Sequence, residues 1–246
     1  MIEDVVSVPS ADGVSETFFV RPDGGDHPAV ILYMDAPGIR EELYGFARRI
    51  ADQGYSVLLP DMYYRLGRLR FDMKTADDAV RQEMFGAMNS LSNALVMKDT
   101  AAWLSYLESA PGVRAGPVGC IGYCMSGQYV VSAAGAFPEK MGAIASLYGV
   151  GIVTDAPDSP HLLVPKIRGE LYLGFAETDQ WVPDNVIPDL TQALDGNKIS
   201  YKLDIWPGTE HGFCFPERAL YNENAAEKVW DTVFDLYKRR LQPPPS

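Results

Sequence analysis

The feature that most constrains this chain is a short apolar strand that runs directly into a tight turn and then a helix. The strand pattern covers residues 118–121, the turn covers 122–127, and the helical pattern begins at Gln128. Glycines in the turn let the strand and the helix approach closely and leave Cys124 at the bend. A sulfur near the N-terminal end of a helix is favoured as a thiolate. The segment therefore predicts an α/β fold with a reactive cysteine.

Cys124 has to be weighed against a purely structural role and against a neighbouring nucleophile. Free cysteines are often small buried hydrophobes, which fits Cys120 inside the apolar strand better than it fits Cys124. Ser126 is the other candidate nucleophile, but Cys124 and Gln128 stand where the motif needs small residues. Centred on Cys124, the same positions hold Gly122 and Ser126. The pattern favours Cys124.

A cysteine nucleophile needs a base, and histidine is the natural one because its protonation changes near neutral pH. The chain has three histidines, His27, His161 and His211. His27 and His161 lie in loops beside prolines, where a solvated loop residue is the simpler interpretation. His211 follows the apolar pattern of residues 201–206, on the loop after the last predicted strand. The sequence predicts His211 as the base.

The third group is a carboxylate that orients the imidazole, expected between the nucleophile and the histidine in the chain. The apolar segment 171–175 reads as a buried strand, and Asp179 lies just beyond its end. Glu177 is the nearest competitor for this role. Helix capping or an Asx-turn is the structural alternative for Asp179, because aspartate commonly does either at such a place. Asp179 is the predicted acid.

The remaining chain alternates apolar strands with helix-length segments, which is typical of a parallel sheet covered by helices. Strands are predicted at residues 3–8, 17–21, 29–34, 56–60, 118–121, 143–148, 171–175 and 201–206, the first two as an antiparallel pair. Helices are predicted at residues 41–53, 99–108, 128–136, 183–194 and 224–241. No linker or repeat divides the chain, so a single domain over residues 1–246 is expected.

With Cys124, Asp179 and His211 in this order, the chain resembles the dienelactone hydrolase family, cysteine-dependent members of the α/β-hydrolase superfamily. The matching segments are residues 34–38, 60–65, 122–127, 179–183 and 211–213. The resemblance implies the α/β-hydrolase fold, with a mostly parallel central sheet and helices on both faces. It also implies hydrolysis of a small-molecule ester or lactone through an acyl-thioester. A thioesterase or other acyl hydrolase, and a non-catalytic binding protein that keeps the fold, stay open as alternatives.

The resemblance further implies roles for residues outside the triad. The backbone amides of Met125 and Ala36 would form the oxyanion hole, and a carboxylate would lie near the resting thiol. That carboxylate is a glutamate in the archetype and Asp35 here. The archetype binds its substrate's carboxylate with a serine and an arginine after the histidine, where this chain has Gly212 and Phe215. The resemblance therefore supports the chemistry better than it identifies the substrate.

Aromatic residues next to the predicted triad suggest a substrate pocket. Tyr148, Trp181, Phe213 and Phe215 come from these neighbouring segments and are predicted to line an ester-sized pocket, although each also fits a core position. The segment 66–97 is rich in methionine and phenylalanine and fits either a partial lid over the pocket or packing against the sheet.

The net charge and the sequence composition limit the kinds of partner that this chain can bind. A formal charge of −12 and a pI near 4.6 argue against nucleic acid, because phosphate binding depends on clustered lysine and arginine. There is no signal-peptide pattern and no apolar run long enough to cross a bilayer, so a cytoplasmic location without a membrane partner is expected. No residue spacing suggests a zinc, phosphate or dinucleotide site, so neither metal nor cofactor is expected. A monomer and a homodimer both remain open.

Overall fold

Strands and helices alternate along residues 1–242, the part of the chain that the computed structural model describes. The residues group into two units, 1–115 and 116 onward. The first contains strands β1 (Ile2–Ser10), β2 (Gly13–Arg21), β3 (Ala29–Tyr33) and β4 (Ser56–Pro60), and helices α1 (Glu41–Asp52), α2 (Asp78–Asn89) and α3 (Asn93–Leu107). The second contains strands β5 (Val118–Tyr123), β6 (Met141–Leu147), β7 (Glu170–Thr178) and β8 (Tyr201–Glu210), and helices α4 (Gly127–Ala136), α5 (Val186–Gly196) and α6 (Glu223–Leu241).

The strands of the first unit pair in the order β1, β2, β4, β3. β1 and β2 form the predicted antiparallel pair, β2 is antiparallel to β4, and β3 runs parallel to β4. Every residue of β3 and β4 is buried, which explains why both read as continuous apolar runs rather than as alternating patterns.

The strands of the second unit are all parallel and pair in the order β5, β6, β7, β8. Parallel strands present their carboxyl ends at one edge of the sheet, where α/β proteins commonly bind ligands. The residues that directly follow these four strands are Cys124, Tyr148, Asp179 and His211. The topology of this unit therefore brings residues from four distant stretches of sequence to one edge.

Helix α6 shows how the second unit covers its sheet. The Asn222 side chain accepts a hydrogen bond from the Ala225 backbone amide and begins the helix. Its apolar stripe, which includes Val229, Trp230 and Val233, is buried as its spacing predicts. The helix packs against β5, β6 and β7, so its apolar face stabilises the strands that lead to the site.

The structure differs from the sequence prediction at the start of two helices and in one further helix. The helix predicted at residues 183–194 is α5, which begins at Val186 and ends at Gly196. The helix predicted from residue 99 begins at Asn93, because the Ser92 hydroxyl accepts a hydrogen bond from the Leu95 amide and caps it. Helix α2 lies inside the segment 66–97 and was not predicted as a helix. Only Met84 and Ala87 of this helix are buried, so it has little apolar periodicity to find. The lid role of the segment and the single-domain organisation both stay predictions.

Candidate active site

The turn after β5 holds Cys124 in a conformation that few residues adopt. Its φ of 54° lies in the left-handed region, which costs a non-glycine residue about 1 kcal/mol or more. A Cβ on Gly122 would stand 2.5 Å from the carbonyl oxygen of Ser126, and a Cβ on Gly127 would stand 2.2 Å from the Cα of Gly149. The two glycines are therefore needed for the close packing that keeps the turn strained.

A long-range hydrogen bond also holds this turn. The carbonyl oxygen of Cys124 accepts a hydrogen bond of 3.0 Å from the amide of Val150, which follows β6. A single 3₁₀ turn, Cys124–Ser126, then leads into α4, so the sulfur lies near the N-terminal end of the helix. The buried Met125 is the residue directly after the cysteine. Its backbone amide stands where a helix end favours negative charge.

The three cysteines of the chain have different surroundings. All are free thiols, but Cys120 and Cys214 are buried whereas Cys124 is partly exposed. Burial raises the pKa of the Cys120 thiol, and burial likewise raises the pKa of Cys214 despite smaller opposing effects from Tyr148 and Arg218. Both buried cysteines are therefore held as unreactive thiols at neutral pH, and Cys124 alone combines exposure with a strained turn.

His211 is oriented by a carboxylate. Its Nδ1 lies 2.7 Å from Oδ2 of Asp179, and both side chains are largely buried. With Asp179 ionised, Nδ1 donates this hydrogen bond, which leaves Nε2 as the ring atom available for proton exchange. Nε2 is buried and, among residues 1–242, no group contacts it in ordinary hydrogen-bond geometry.

The neighbours of His211 change its proton affinity. Burial alone would lower the pKa of this imidazole, because it disfavours the charged ring. The hydrogen bond to Asp179 and the sulfur of Cys124 outweigh burial and raise the pKa of His211 to about 9. The effect of Cys124 on this pKa is consistent with a sulfur near the ring, although Nε2 forms no hydrogen bond with residues 1–242. With a pKa of about 9, the imidazole of His211 is mostly protonated at neutral pH.

Asp179 and Glu177, the two candidate acids, have different partners. Oδ1 of Asp179 accepts a hydrogen bond of 2.9 Å from the Trp181 amide, so the expected Asx-turn exists in addition to the bond with His211. Oε2 of Glu177 instead accepts a hydrogen bond of 2.8 Å from the amide of Gly208. Glu177 therefore ties the end of β7 to the end of β8, just before the loop that carries His211.

The aromatic residues predicted near the site differ in exposure. Tyr148, Phe213 and Phe215 are fully buried, whereas Trp181 is 50% exposed. The ring of Tyr148 packs edge-on against His211 with 5.0 Å between the centroids, and it also contacts Phe213. Whether these residues line a substrate pocket stays a prediction.

Sequence reasoning missed Tyr123, whose ring contacts Tyr148 and Phe215. It also missed the Val150 amide and the bracing role of Glu177. Tyr123 directly precedes the candidate nucleophile Cys124 in the chain, and this adjacency could have indicated that Tyr123 lies at the site. The contacts of Val150 and Glu177 depend on strand pairing, which a local pattern does not specify.

The other two histidines have local structural contacts. A ring nitrogen of His27 lies 2.9 Å from the carbonyl oxygen of Gly24. His161 lies in a 3₁₀ helix, Pro160–Lys166, rather than in the expected loop, and its Nδ1 is 2.7 Å from the hydroxyl of Ser159, which precedes that helix. Over residues 1–242, no group of three His, Cys, Asp or Glu side chains is arranged to hold a metal ion. The helices of the same stretch include none that is long and apolar enough to cross a bilayer.

In the first unit, Asp35 and Ala36 lie in a tightly held loop after β3. Asp35 is fully buried, and its two carboxylate oxygens accept hydrogen bonds of 2.5 and 3.2 Å from Arg40. The carbonyl oxygen of Ala36 accepts a hydrogen bond of 2.8 Å from the Tyr63 hydroxyl. The roles of Asp35 in thiol activation and of Ala36 as an oxyanion donor stay predictions of the family resemblance.

Comparison with known proteins places this geometry in a family context. A family model described as the dienelactone hydrolase family matches residues 15–241. A Synechocystis protein with the name "Putative carboxymethylenebutenolidase" is 29% identical over 246 residues, which cover 97% of this chain and 97% of that protein. The predicted resemblance is therefore confirmed over nearly the whole sequence.

Solved structures agree with the fold. The crystal structure named as a "Putative Dienelactone Hydrolase" from Klebsiella pneumoniae has a TM-score of 0.83 at 23% identity, with 95% of this chain and 98% of that one covered. A dienelactone hydrolase from Anabaena variabilis has a TM-score of 0.71 at 18% identity, with 98% and 99% covered. At these identities the likeness concerns the fold alone, and it confirms the predicted α/β-hydrolase fold.

Proposed function

The chain belongs to the dienelactone hydrolase family, a family of hydrolases that act on esters and lactones, and we propose that it works through an acyl-thioester on Cys124. In this proposal Cys124 is the nucleophile, His211 is the general base and acid, and Asp179 orients the imidazole. The natural substrate is a small ester or lactone.

One observation carries the proposal, namely the combined effect of Asp179 and Cys124 on His211. The Asp179 carboxylate accepts a hydrogen bond from Nδ1, and the sulfur of Cys124 contributes to the raised pKa of the ring. A buried imidazole that is bonded to a carboxylate and whose pKa responds to a cysteine sulfur is typical of an activated thiol nucleophile. The strained left-handed turn at Cys124 supports the same role, because strain concentrates at functional sites.

Acylation follows from these positions. The Cys124 thiolate attacks the carbonyl carbon, and the electron pair of the C=O bond moves to the oxygen. The Met125 amide, at the N-terminal end of α4, stabilises the resulting oxyanion. When the tetrahedral intermediate collapses, the C–O bond to the leaving group breaks, and the His211 imidazolium gives its proton to the departing oxygen. The acyl group remains on Cys124 as a thioester.

Deacylation returns the enzyme to its starting state. The neutral imidazole of His211 takes a proton from a water molecule while the water oxygen attacks the thioester carbonyl. The C–S bond then breaks, which releases the carboxylic acid and restores the thiolate beside the protonated ring. Asp179 holds the imidazole in one tautomer through both steps and stabilises its charged form.

The substrate class rests on the family and on two departures from its archetype. The relatives' name refers to a carboxymethylenebutenolide, an anionic lactone, which is therefore the compound to compare with an uncharged ester or lactone. Gly212 and Phe215 stand where the resemblance has groups that bind a substrate carboxylate, and the chain as a whole is acidic. An uncharged ester or lactone therefore suits this chain better than an anionic one, because an acidic surface repels anions.

The test compares Cys124→Ala with Cys120→Ala, a matched substitution at a buried cysteine of the preceding strand. We expect Cys124→Ala to reduce hydrolysis of 4-nitrophenyl acetate by about 10³-fold or more, with an unchanged far-UV circular dichroism spectrum. Cys120→Ala should remain within about threefold of the wild type, because it deletes one buried sulfur. Rapid-quench mass spectrometry of the wild type should show an acetyl group on Cys124. Retention of most activity by Cys124→Ala, or an acyl group on another residue, would contradict the proposal.

A further inference from the structure

Tyr148 is held in an unusual conformation at the carboxyl end of β6. Its φ is 37°, and in residues 1–242 only Cys124 and Lys198 share a positive φ among the non-glycine residues. Its side chain is fully buried. A strained residue persists only where its surroundings hold it, and such residues concentrate at functional sites. Two of the three strained residues therefore belong to the edge that carries the triad.

The backbone around Tyr148 links the nucleophile turn to the neighbouring strand. The amide of Tyr148 donates a hydrogen bond of 2.6 Å to the carbonyl oxygen of Gly174 in β7. Two residues later, the amide of Val150 donates to the carbonyl oxygen of Cys124. The left-handed backbone of Tyr148 lies between these two hydrogen-bonded amides. It therefore turns the chain that leaves β6 away from β7 and toward the turn that carries the nucleophile.

The ring of Tyr148 contacts the proposed base. Its centroid lies 5.0 Å from that of His211, and the two planes meet at 65°, an edge-on arrangement. Phe213, two residues after the base, lies 5.4 Å from the same tyrosine ring, and Tyr123, next to the nucleophile, lies 6.0 Å from it. Buried aromatic contacts of this kind restrict ring motion and exclude water.

The hydrogen bond between Asp179 and Nδ1 fixes one atom of the imidazole but leaves the ring free to tilt about that bond. We propose that Tyr148 is a positioning residue, whose ring fixes the tilt of the His211 imidazole and so directs Nε2 toward the Cys124 turn. The inference rests on the proposed function of the triad. Tyr148 acts through His211 and takes no part in proton transfer, so its effect falls on kcat and on the reactivity of the thiol, with little change in KM.

The experiment removes the aromatic ring of Tyr148 and compares the effect with removal of a buried tyrosine ring elsewhere in the protein. Tyr148→Leu deletes the ring, Tyr148→Phe keeps it, and Tyr237→Leu makes the same deletion at a fully buried tyrosine of α6. Three quantities are measured for each variant: kcat and KM for 4-nitrophenyl acetate, the pH midpoint of iodoacetamide alkylation at Cys124, and the thermal unfolding temperature.

We expect Tyr148→Leu to lower kcat about 10- to 100-fold, because a small misorientation of a catalytic group costs this much, with KM within about threefold. Its alkylation midpoint should rise toward that of an ordinary thiol. Tyr148→Phe should restore both values, since the ring edge remains. Tyr237→Leu should lower the unfolding temperature while kcat and the alkylation midpoint stay near those of the wild type.

The inference is overturned if Tyr148→Leu resembles Tyr237→Leu, with reduced thermal stability but normal kcat and a normal alkylation midpoint. If Tyr148→Leu does not fold, Tyr148→Met fills a similar volume without an aromatic edge and carries the same expectations. Failure of both to fold while Tyr148→Phe folds would make Tyr148 a packing residue and also contradict the inference. Failure of the proposed function is recognised separately, by an active Cys124→Ala protein.

Discussion

The turn that carries Cys124 and the loop that carries His211 are held in place in different ways. Backbone packing holds the turn, because a Cβ on Gly122 or Gly127 would overlap backbone atoms of neighbouring residues. Polar side chains hold the loop, through Glu177 on the amide of Gly208 and Asp179 on Nδ1 of His211. The nucleophile is thus fixed by close packing, which tolerates little change. The base depends on contacts that single substitutions can remove without disturbing the core.

The largest expected effect tests the polar contacts that hold the His211 loop. Asp179→Asn keeps the shape of the side chain but removes its charge, and its amide can present a donor to Nδ1 and favour the wrong tautomer of His211. We expect kcat to fall by about 10³- to 10⁴-fold, while urea denaturation shows a free energy of unfolding within about 1 kcal/mol of the wild type. A kcat near that of the wild type would show that Asp179 is only a turn residue.

The next largest effect tests the close packing of the turn that carries Cys124. Gly127→Ala would place a Cβ 2.2 Å from the Cα of Gly149, so the backbone has to move. We expect a loss of about 3 kcal/mol in the free energy of unfolding, together with a loss of activity. Gly45→Ala in α1 is the control, because its Cβ would meet no atom within 4 Å and alanine favours a helix. Similar free energies of unfolding for the two variants would contradict close packing at the turn.

The third effect is the pH dependence of stability. The pKa of His211 is raised to about 9 in the folded protein, above its ordinary value of 6.5. Its stabilisation is therefore fully present below pH 6.5 and is lost as the pH rises toward 9. Across this interval we expect the wild type to lose about 2 kcal/mol more than His211→Gln, measured by urea denaturation. Parallel pH profiles for the two proteins would contradict the raised pKa.

The smallest effect concerns the brace on the histidine loop. Glu177→Ala removes the acceptor for the Gly208 amide, and this amide is exposed enough for water to replace the lost partner. We expect kcat to fall about threefold and stability to fall by about 1 kcal/mol. Glu210→Ala, a substitution at another exposed glutamate near His211, serves as the control and should leave kcat unchanged. A large loss of kcat in Glu177→Ala would reassign part of the acid role from Asp179 to Glu177.

The same contrast explains what the sequence could predict. The Cys124 turn is readable because glycine spacing, an apolar strand and a following helix are contiguous in the chain. Asp179 and His211 were also predictable, because each directly follows a strand and parallel strands bring their ends to one edge. Their mutual hydrogen bond then needs only a local turn at each position.

Other features depend on strand register or on weak patterns. The hydrogen bond from Val150 to Cys124 and the left-handed backbone of Tyr148 arise from the pairing of β5, β6 and β7. No local sequence pattern indicates either of these two features. Helix α2 was missed because most of its side chains face solvent, so burial gives it little apolar periodicity. Tertiary contacts, rather than propensity, decide these cases.

The most direct test of the account measures how the rate of iodoacetamide alkylation at Cys124 depends on pH, in the wild type and in His211→Gln. Cys120 and Cys214 are buried, so alkylation is expected at Cys124. Mass spectrometry identifies the residue that is modified. The account predicts a midpoint in the wild type well below the ordinary thiol pKa of about 8.5, and a shift toward that value in His211→Gln. Equal midpoints near 8.5 in both proteins would contradict the claim that His211 activates Cys124.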